Sequence, residues 1–302
     1  MSASAGAREL DQGAMPGLAT AAEATRTPSG RLRQRFLNPS LLAGLAILSL
    51  VVLFVLVYPL LSPYSPTEPD FNQATFAGPS WSHPLGTDNF GRDIMTRLAY
   101  GGRVDLLIGI AATWVTVIVG TVLGLETGYF GGWLDTLVMR FVDFMVTLPY
   151  LILVIAIVAI LGTGTNNIVY AIWLVGWVSY ARIVRAETLV ARRTEYVEAA
   201  RVIGMGHARI IFRHVLPNVI SAAIIFSMAD LVLNILVASS LSFLGLGVQP
   251  PHPEWGLMVA EARDFFLRDW RLMTYPGLAV LVVGAGFGLV GDGLAQALRP
   301  RG

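Results

Sequence analysis

The segment best suited to specific chemistry is Tyr196-Val-Glu-Ala-Ala-Arg-Val-Ile-Gly204, which runs on to Leu216-Pro217-Asn218. It is polar and arginine-bearing, and it lies between two long apolar stretches. Its chemistry is recognition, not bond-making. Ala199 and Ala200 let a second surface approach a helix backbone closely, and Gly204 lets the chain turn sharply into another short helix. Tyr196, Glu198, Arg201, Leu216 and Pro217 complete this candidate docking site.

A second constellation lies inside an apolar run. Asp230 and Asn234 stand one turn apart near its middle. An ionisable group there is costly in lipid, so it marks either a solute path or a hydrogen bond that joins helices. Both readings stand at this level, and the pair is kept as a candidate for the translocation path. Arg140 and Asp143 are spaced i, i+3, which predicts a local ion pair fixing a helix end.

Other chemistries fail on residues. The chain has no cysteine, which excludes disulfides, thiolate metal sites and a cysteine nucleophile. His83, His207, His214 and His252 are too scattered to predict a metal site. No dinucleotide fingerprint, P-loop or H-E-x-x-H is found. Gly291-Asp292 suggests an aspartyl intramembrane protease, but Leu289 stands where that motif needs its first glycine. The serine type of such proteases lacks its Gly-x-Ser-Gly here. The chain is expected to be no enzyme and to hold no cofactor, so any ATP and Mg would be bound by a separate chain. No nucleic-acid partner is expected.

The elements that must position these residues are membrane helices. Hydrophobic residues make up 55% of the 302 residues and charged ones 14%, with a mean hydropathy of +0.64. A soluble domain carries roughly a quarter charged residues. Six apolar segments approach the roughly 20 residues a bilayer crossing needs: Leu41–Leu61, Val104–Leu125, Leu137–Leu161, Ile168–Val184, Val219–Leu244 and Pro276–Leu298. Helix is the form that satisfies their backbone in lipid. Gly109, Gly120, Gly124, Gly284, Gly286 and Gly288 fall within them and suit close helix packing. Residues 1–40, rich in Ala, Gly and Ser, predict a disordered lead on the cytoplasmic side, and no cleavable signal peptide is expected.

Every basic residue is arginine, and their distribution orients the bundle. With the N-terminus inside, 15 arginines lie on the cytoplasmic side, seven of them between Arg182 and Arg213. Six lie outside: Arg92, Arg97, Arg103, Arg263, Arg268 and Arg271. The positive-inside rule then puts both termini and the Glu198 segment in the cytoplasm. Residues 62–103 and 245–275 become external segments. In the second, Glu254 to Arg271 alternates acids and arginines with Trp255, Phe265, Phe266 and Trp270. This predicts either a short interfacial helix or an aromatic-anchored connector.

Glu198-Ala199-Ala200, Gly204 and Leu216-Pro217, in that order, resemble the EAA motif of ABC importer permeases. The resemblance implies a coupling helix that sits in a cleft of the ATP-hydrolysing subunit. His214 departs from the family pattern, which prefers an apolar residue there, and Val215 is expected to take that role. Three further blocks narrow the likeness. They are His83-Pro-Leu-Gly-Thr-Asp-Asn-Phe-Gly-Arg-Asp93, Leu241-Ser-Phe-Leu-Gly-Leu-Gly247 with its continuation to Gly256, and Gly291-Asp-Gly-Leu294. Together they resemble the second permease of dipeptide and oligopeptide importers, the peptide/nickel type, over about residues 40 to 300. The Leu298-Arg299-Pro300 tail departs from that family's Asp-Pro-Arg/Lys ending.

The resemblance implies an all-α membrane protein with six transmembrane helices in the type I ABC importer architecture, its permease domain covering 41–302. It implies a bacterial cytoplasmic (inner) membrane and four kinds of partner. These are a homologous second permease, two ABC ATPase subunits that bind ATP and Mg, an extracytoplasmic substrate-binding protein and the lipid membrane. Di- or oligopeptide is the expected substrate, with a nickel chelate or short oligosaccharide as competitors. A self-contained secondary transporter is the alternative class, but no repeat between the halves is evident and six spans are few for one acting alone.

Overall fold

A computed structural model describes residues 38–298. The expected N-terminal lead falls outside the described residues as far as residue 37, and so does the tail from Arg299. Pro39 and Ser40 already belong to the first helix, α1 (Pro39–Leu61), where the Asn38 side chain accepts from Leu41 N–H at 2.8 Å. The chain continues through α2 (Ile94–Phe130), α3 (Gly132–Thr147), α4 (Tyr150–Leu161) and α5 (Thr165–Ala191). Then come α6 (Glu195–Val202) and α7 (His207–Ile210), and a π turn (Ile211–Val215) leads directly into α8 (Leu216–Phe243). Two helices close the chain, α9 (Trp255–Ala262) and α10 (Arg271–Leu298). Five of these are long and apolar enough to cross a membrane, counting α7 through α8 as one, or six if the bent α3–α4 pair is one span.

That bend corrects the third expected span. Leu137–Leu161 is not one helix: the chain breaks at Leu148-Pro149 and α4 turns 92° away from α3. Pro149 has no N–H to donate and holds the residue before it out of the helical region, and Leu148 is extended at ψ 134°. The expected Arg140–Asp143 pair is also absent. Asp143 instead accepts from Arg182 of α5 at 2.9 Å, and Asp135 pairs with Arg185. Both acids of α3 therefore tie it to α5.

The close helix contact is between α2 and α5. A Cβ on Gly124 would come within 2.8 Å of the Ala181 carbonyl, and one on Gly128 within 2.6 Å of Thr188 Cβ. Gly120 is closed in the same way by Tyr180. This is the small-xxx-small arrangement that lets two backbones touch without the hydrophobic effect. Gly109 and Gly286 also meet neighbours closely, whereas a Cβ on Gly288 would meet nothing within 4 Å.

At the other end of α2 the segment before it folds as a cap. Asp93 N-caps α2, accepting from Thr96 N and Oγ1 at 2.7 Å each and pairing with His83 Nδ1 at 3.0 Å. Arg97 reaches Glu261 of α9 at 2.6 Å and the Pro66 carbonyl at 3.0 Å. With these partners α2 starts ten residues before the expected Val104. The Glu254–Arg271 segment does hold a short helix, but that helix packs into the bundle. Glu254 caps α9, and Trp255, Leu257 and Met258 are buried in the bundle. Trp255 donates to Asp105 Oδ2 through its N–H and to the Leu98 carbonyl through Nε1. Only the turn beyond it, with Phe266, Leu267 and Trp270, is exposed.

Candidate functional site: the α6–α7 docking surface

At the opposite end of α2 the chain builds a small polar subdomain from α6, α7 and the π turn. Val197 and Ala200 face inward and pack with Tyr129 of α2, Val184 and Ala191 of α5, and Ile210, Val215 and Val219. Thr194 ends the preceding turn, and its carbonyl accepts from Val197 and Glu198 N–H. The helix closes at Gly204. Gly204 N–H donates to Arg201 O and Met205 N–H to Ala200 O, both at 3.0 Å, with Gly204 at φ +79°. This double bond pattern is the Schellman closure, and the left-handed residue in it favours glycine.

Polar contacts hold the subdomain to α2. The Arg201 guanidinium lies 5.0 Å from the centroid of the Tyr129 ring, and Tyr129 Oη bonds His207 Nδ1 at 3.0 Å. Arg192 donates to the Gly128 and Tyr129 carbonyls, placing a cation at the C-terminal end of α2. Tyr196 Oη accepts from Asn218 Nδ2 at 3.0 Å, which joins α6 to the start of α8 beside Pro217. Leu216 is half-buried against the core and Pro217 is exposed. Val215 is fully buried and His214 is not, so Val215 fills the apolar place that the sequence pattern required.

The outward face is the informative one. Glu198 and Ala199 are exposed, and so are Val202, Ile203 and, in the π turn, Phe212, at 88%, 75% and 69%. None of these three stood out from sequence. Their signal was apolar side chains inside an otherwise polar connector. Large apolar side chains exposed in this way make α6 a candidate contact surface. The expected site residues divide accordingly: Ala200 and Leu216 support, Arg201 and Tyr196 clamp, Glu198, Ala199 and Pro217 face outward, and Gly204 sets the turn.

Comparison with known proteins fits this arrangement. Residues 117–301 match the model of the family described as binding-protein-dependent transport system inner membrane component. The chain belongs to that family. This permease also matches, over residues 28–79, the N-terminal TM domain of oligopeptide transport permease C. It is 40% identical over 282 residues to a glutathione transport system permease protein of Pectobacterium atrosepticum, across 92% of this chain and 93% of that one. It is 42% identical to a di/tripeptide transport system permease protein of Pseudomonas aeruginosa, across 87% and 89%. A dipeptide transport system permease protein of Alkalihalophilus pseudofirmus is 41% identical, across 87% and 86%. The permease is thus a multi-pass inner membrane protein.

Asp230 and Asn234 of the permease lie apart from this surface, in the middle of α8. Both are buried. Asp230 Oδ2 accepts from Tyr180 Oη at 2.9 Å and from Asn234 Nδ2 at 3.1 Å. Asn234 in turn donates to Thr113 Oγ1 at 3.0 Å and accepts from Tyr150 Oη at 3.3 Å. The network joins α2, α4, α5 and α8, the geometry of the helix-joining alternative.

Proposed function

We propose that this permease is one half of the translocation unit of an ABC importer that carries di- or oligopeptides into the cytoplasm. The observation that carries the reading is the α6 surface. A helix held rigidly to α2 and α5 turns Ala199, Val202 and Ile203 outward, beyond the spanning segments. An ATPase subunit that binds ATP and Mg seats on it, and closure of the ATPase pair moves α2 and α5 through Tyr129, Arg192 and Arg201. The arginine asymmetry supports an α6 end, with both termini, in the cytoplasm. A homologous second permease completes the path and an extracytoplasmic binding protein delivers the solute at the α9 end. Peptide is favoured among substrates because relatives covering most of the chain carry glutathione, dipeptide and di/tripeptide in their names.

The test is affinity purification of a tagged copy from its native membrane, followed by reconstitution. Recovery of a second permease with P-loop ATPases, and ATP-dependent peptide uptake when the binding protein is added, is the expected result. A chain that purifies alone and moves solute without ATP sinks the importer reading.

A further inference from the structure

Asp105 of α2 and Glu254, the residue that caps α9, are both fully buried, and their carboxyl groups meet. Glu254 is well supplied with donors. Its Oε1 accepts from Gly256 N–H at 2.8 Å and from the Ser239 hydroxyl of α8 at 3.2 Å, and its Oε2 from Leu257 N–H at 2.8 Å. It also stands at the start of a helix, where a negative charge is favoured. Asp105 is not so provided. Its Oδ2 accepts from Trp255 N–H at 3.0 Å, but its Oδ1 is buried and has no donor among the described residues.

Among the described residues no cation compensates the pair. The neighbouring arginines of α2 are engaged elsewhere, Arg103 with the Val55 and Leu56 carbonyls and Arg97 with Glu261. Glu254 is the charged group that faces Asp105. The surrounding helices bring apolar side chains and one hydroxyl: Val55 of α1, Ile235 and Ser239 of α8, and Val283 of α10. Two carboxylates in contact in such a place cannot both be ionised. Nor can two ionised carboxylates bond to each other, because each only accepts. One proton between them meets both conditions. Asp105 is the member that carries it, since both Glu254 oxygens already have backbone donors.

We propose that this pair is a proton-binding site, with the proton on Asp105 Oδ1 and donated to Glu254, and that the proton clasps α9 onto α2. One negative charge then remains, on a carboxylate with donors at both oxygens. The same clasp fixes Trp255, whose N–H bonds Asp105 and whose indole donates to the Leu98 carbonyl at 2.9 Å. Without the proton two anions face each other at the root of α9.

The test uses the complete transporter in detergent. Asp105→Asn replaces the O–H with an amide N–H and keeps an oxygen for Trp255 N–H, so it mimics the protonated acid. In infrared difference spectra at neutral pH, wild type minus Asp105→Asn is expected to show the carbonyl band of an un-ionised carboxyl group. Its absence would overturn the proposal. A proton that the folded chain keeps and the unfolded chain loses makes stability fall as pH rises. In denaturant titrations, the folded-to-unfolded ratio of the wild type is therefore expected to drop, relative to Asp105→Asn, by about tenfold per pH unit above about pH 6. Parallel profiles would overturn the proposal. So would a difference that appears only on adding sodium or calcium ions, which would put a metal in the proton's place. Glu254→Gln removes the same single charge but turns an amide group toward a backbone N–H, and is expected to melt lower than Asp105→Asn. The reverse order would place the proton on Glu254. Failure of Asp105→Asn to assemble would show that a neutral mimic does not fit, and either result overturns the assignment.

Discussion

Arg103 of α2 donates through Nε to the Val55 carbonyl at 2.6 Å, and through Nη2 to the Leu56 carbonyl at 2.9 Å. Val55 lies four residues before Pro59, the proline inside α1. Proline has no N–H, so the helix cannot satisfy the Val55 oxygen from within. A side chain from the neighbouring helix supplies the missing donor. The charge that the sequence assigns to an external segment is thus a structural link between two membrane helices.

Removing that donor has a defined consequence. Arg103→Met leaves a buried carbonyl unpaired, a loss of about 1–3 kcal/mol. In a Pro59→Ala background the backbone gains an N–H at that position, which can bond Val55 O, so the same change should cost clearly less. Thermal unfolding of the parent, the two single variants and the double variant measures the coupling. Equal losses in both backgrounds would show that Arg103 acts through something other than the freed carbonyl.

The glycines of α2 and α10 predict opposite signs. Gly124→Ala places a methyl 2.8 Å from both the Ala181 carbonyl and Val184 Cβ, so α2 and α5 must part. Overpacking of this kind costs about 1–3 kcal/mol. Gly288→Ala meets nothing within 4 Å inside a helix and should gain about 0.5–1 kcal/mol. Melting temperatures of the assembled transporter check both, and a destabilised Gly288→Ala would reveal a contact from a partner subunit on that face.

These contrasts show what was legible in the sequence. Hydropathy located the spans because a helix crossing lipid must be apolar over its whole length, and α1, α5 and α8 lie where expected. The Gly204 turn was legible because a left-handed backbone favours glycine, whereas the inward packing of Ala200 was not: the sequence grouped it with Ala199 on the face open to a second surface. Partner choice was not legible either. Asp143 pairs with Arg182, not Arg140, because α5 presents its arginine across the helix interface, and spacing within α3 carries no record of that neighbour. The break at Pro149 was present as a residue type, but an apolar run on both sides masked it. Burial of Trp255 was hidden by polar neighbours: Asp105, its acceptor, is 150 residues away in sequence.

Gly204 separates the geometry of the α6 surface from its contact role. A Cβ there meets nothing, so the cost of Gly204→Ala is the left-handed backbone, about 1–2 kcal/mol. Aspartate tolerates that conformation better than most residues but puts a charge beside Ile203 and Val202. Gly204→Asp is therefore expected to keep membrane insertion and assembly of the permease pair while uncoupling ATP hydrolysis from uptake. Gly204→Ala should retain most of its uptake. Normal transport by Gly204→Asp, assayed with the binding protein at saturation, would remove this surface from the coupling path.

Asp230 carries the last prediction. Its Oδ2 gathers the Tyr180 hydroxyl and the Asn234 amide within 3.1 Å, in the middle of a four-helix junction. Asp230→Leu removes the acceptor and leaves both donors buried. The Tyr180 hydroxyl then has no acceptor and the Asn234 amide keeps only Thr113 Oγ1; each lost bond to the carboxylate costs about 1–3 kcal/mol, and two of them are enough to prevent stable assembly of a marginal membrane bundle. Asp230→Asn keeps an oxygen acceptor and should assemble with a modest loss of thermal stability. Size-exclusion chromatography of the detergent-solubilised complex distinguishes the two variants. If Asp230→Leu assembles normally and only the preference among peptides changes, the carboxylate serves the translocation path and not the junction.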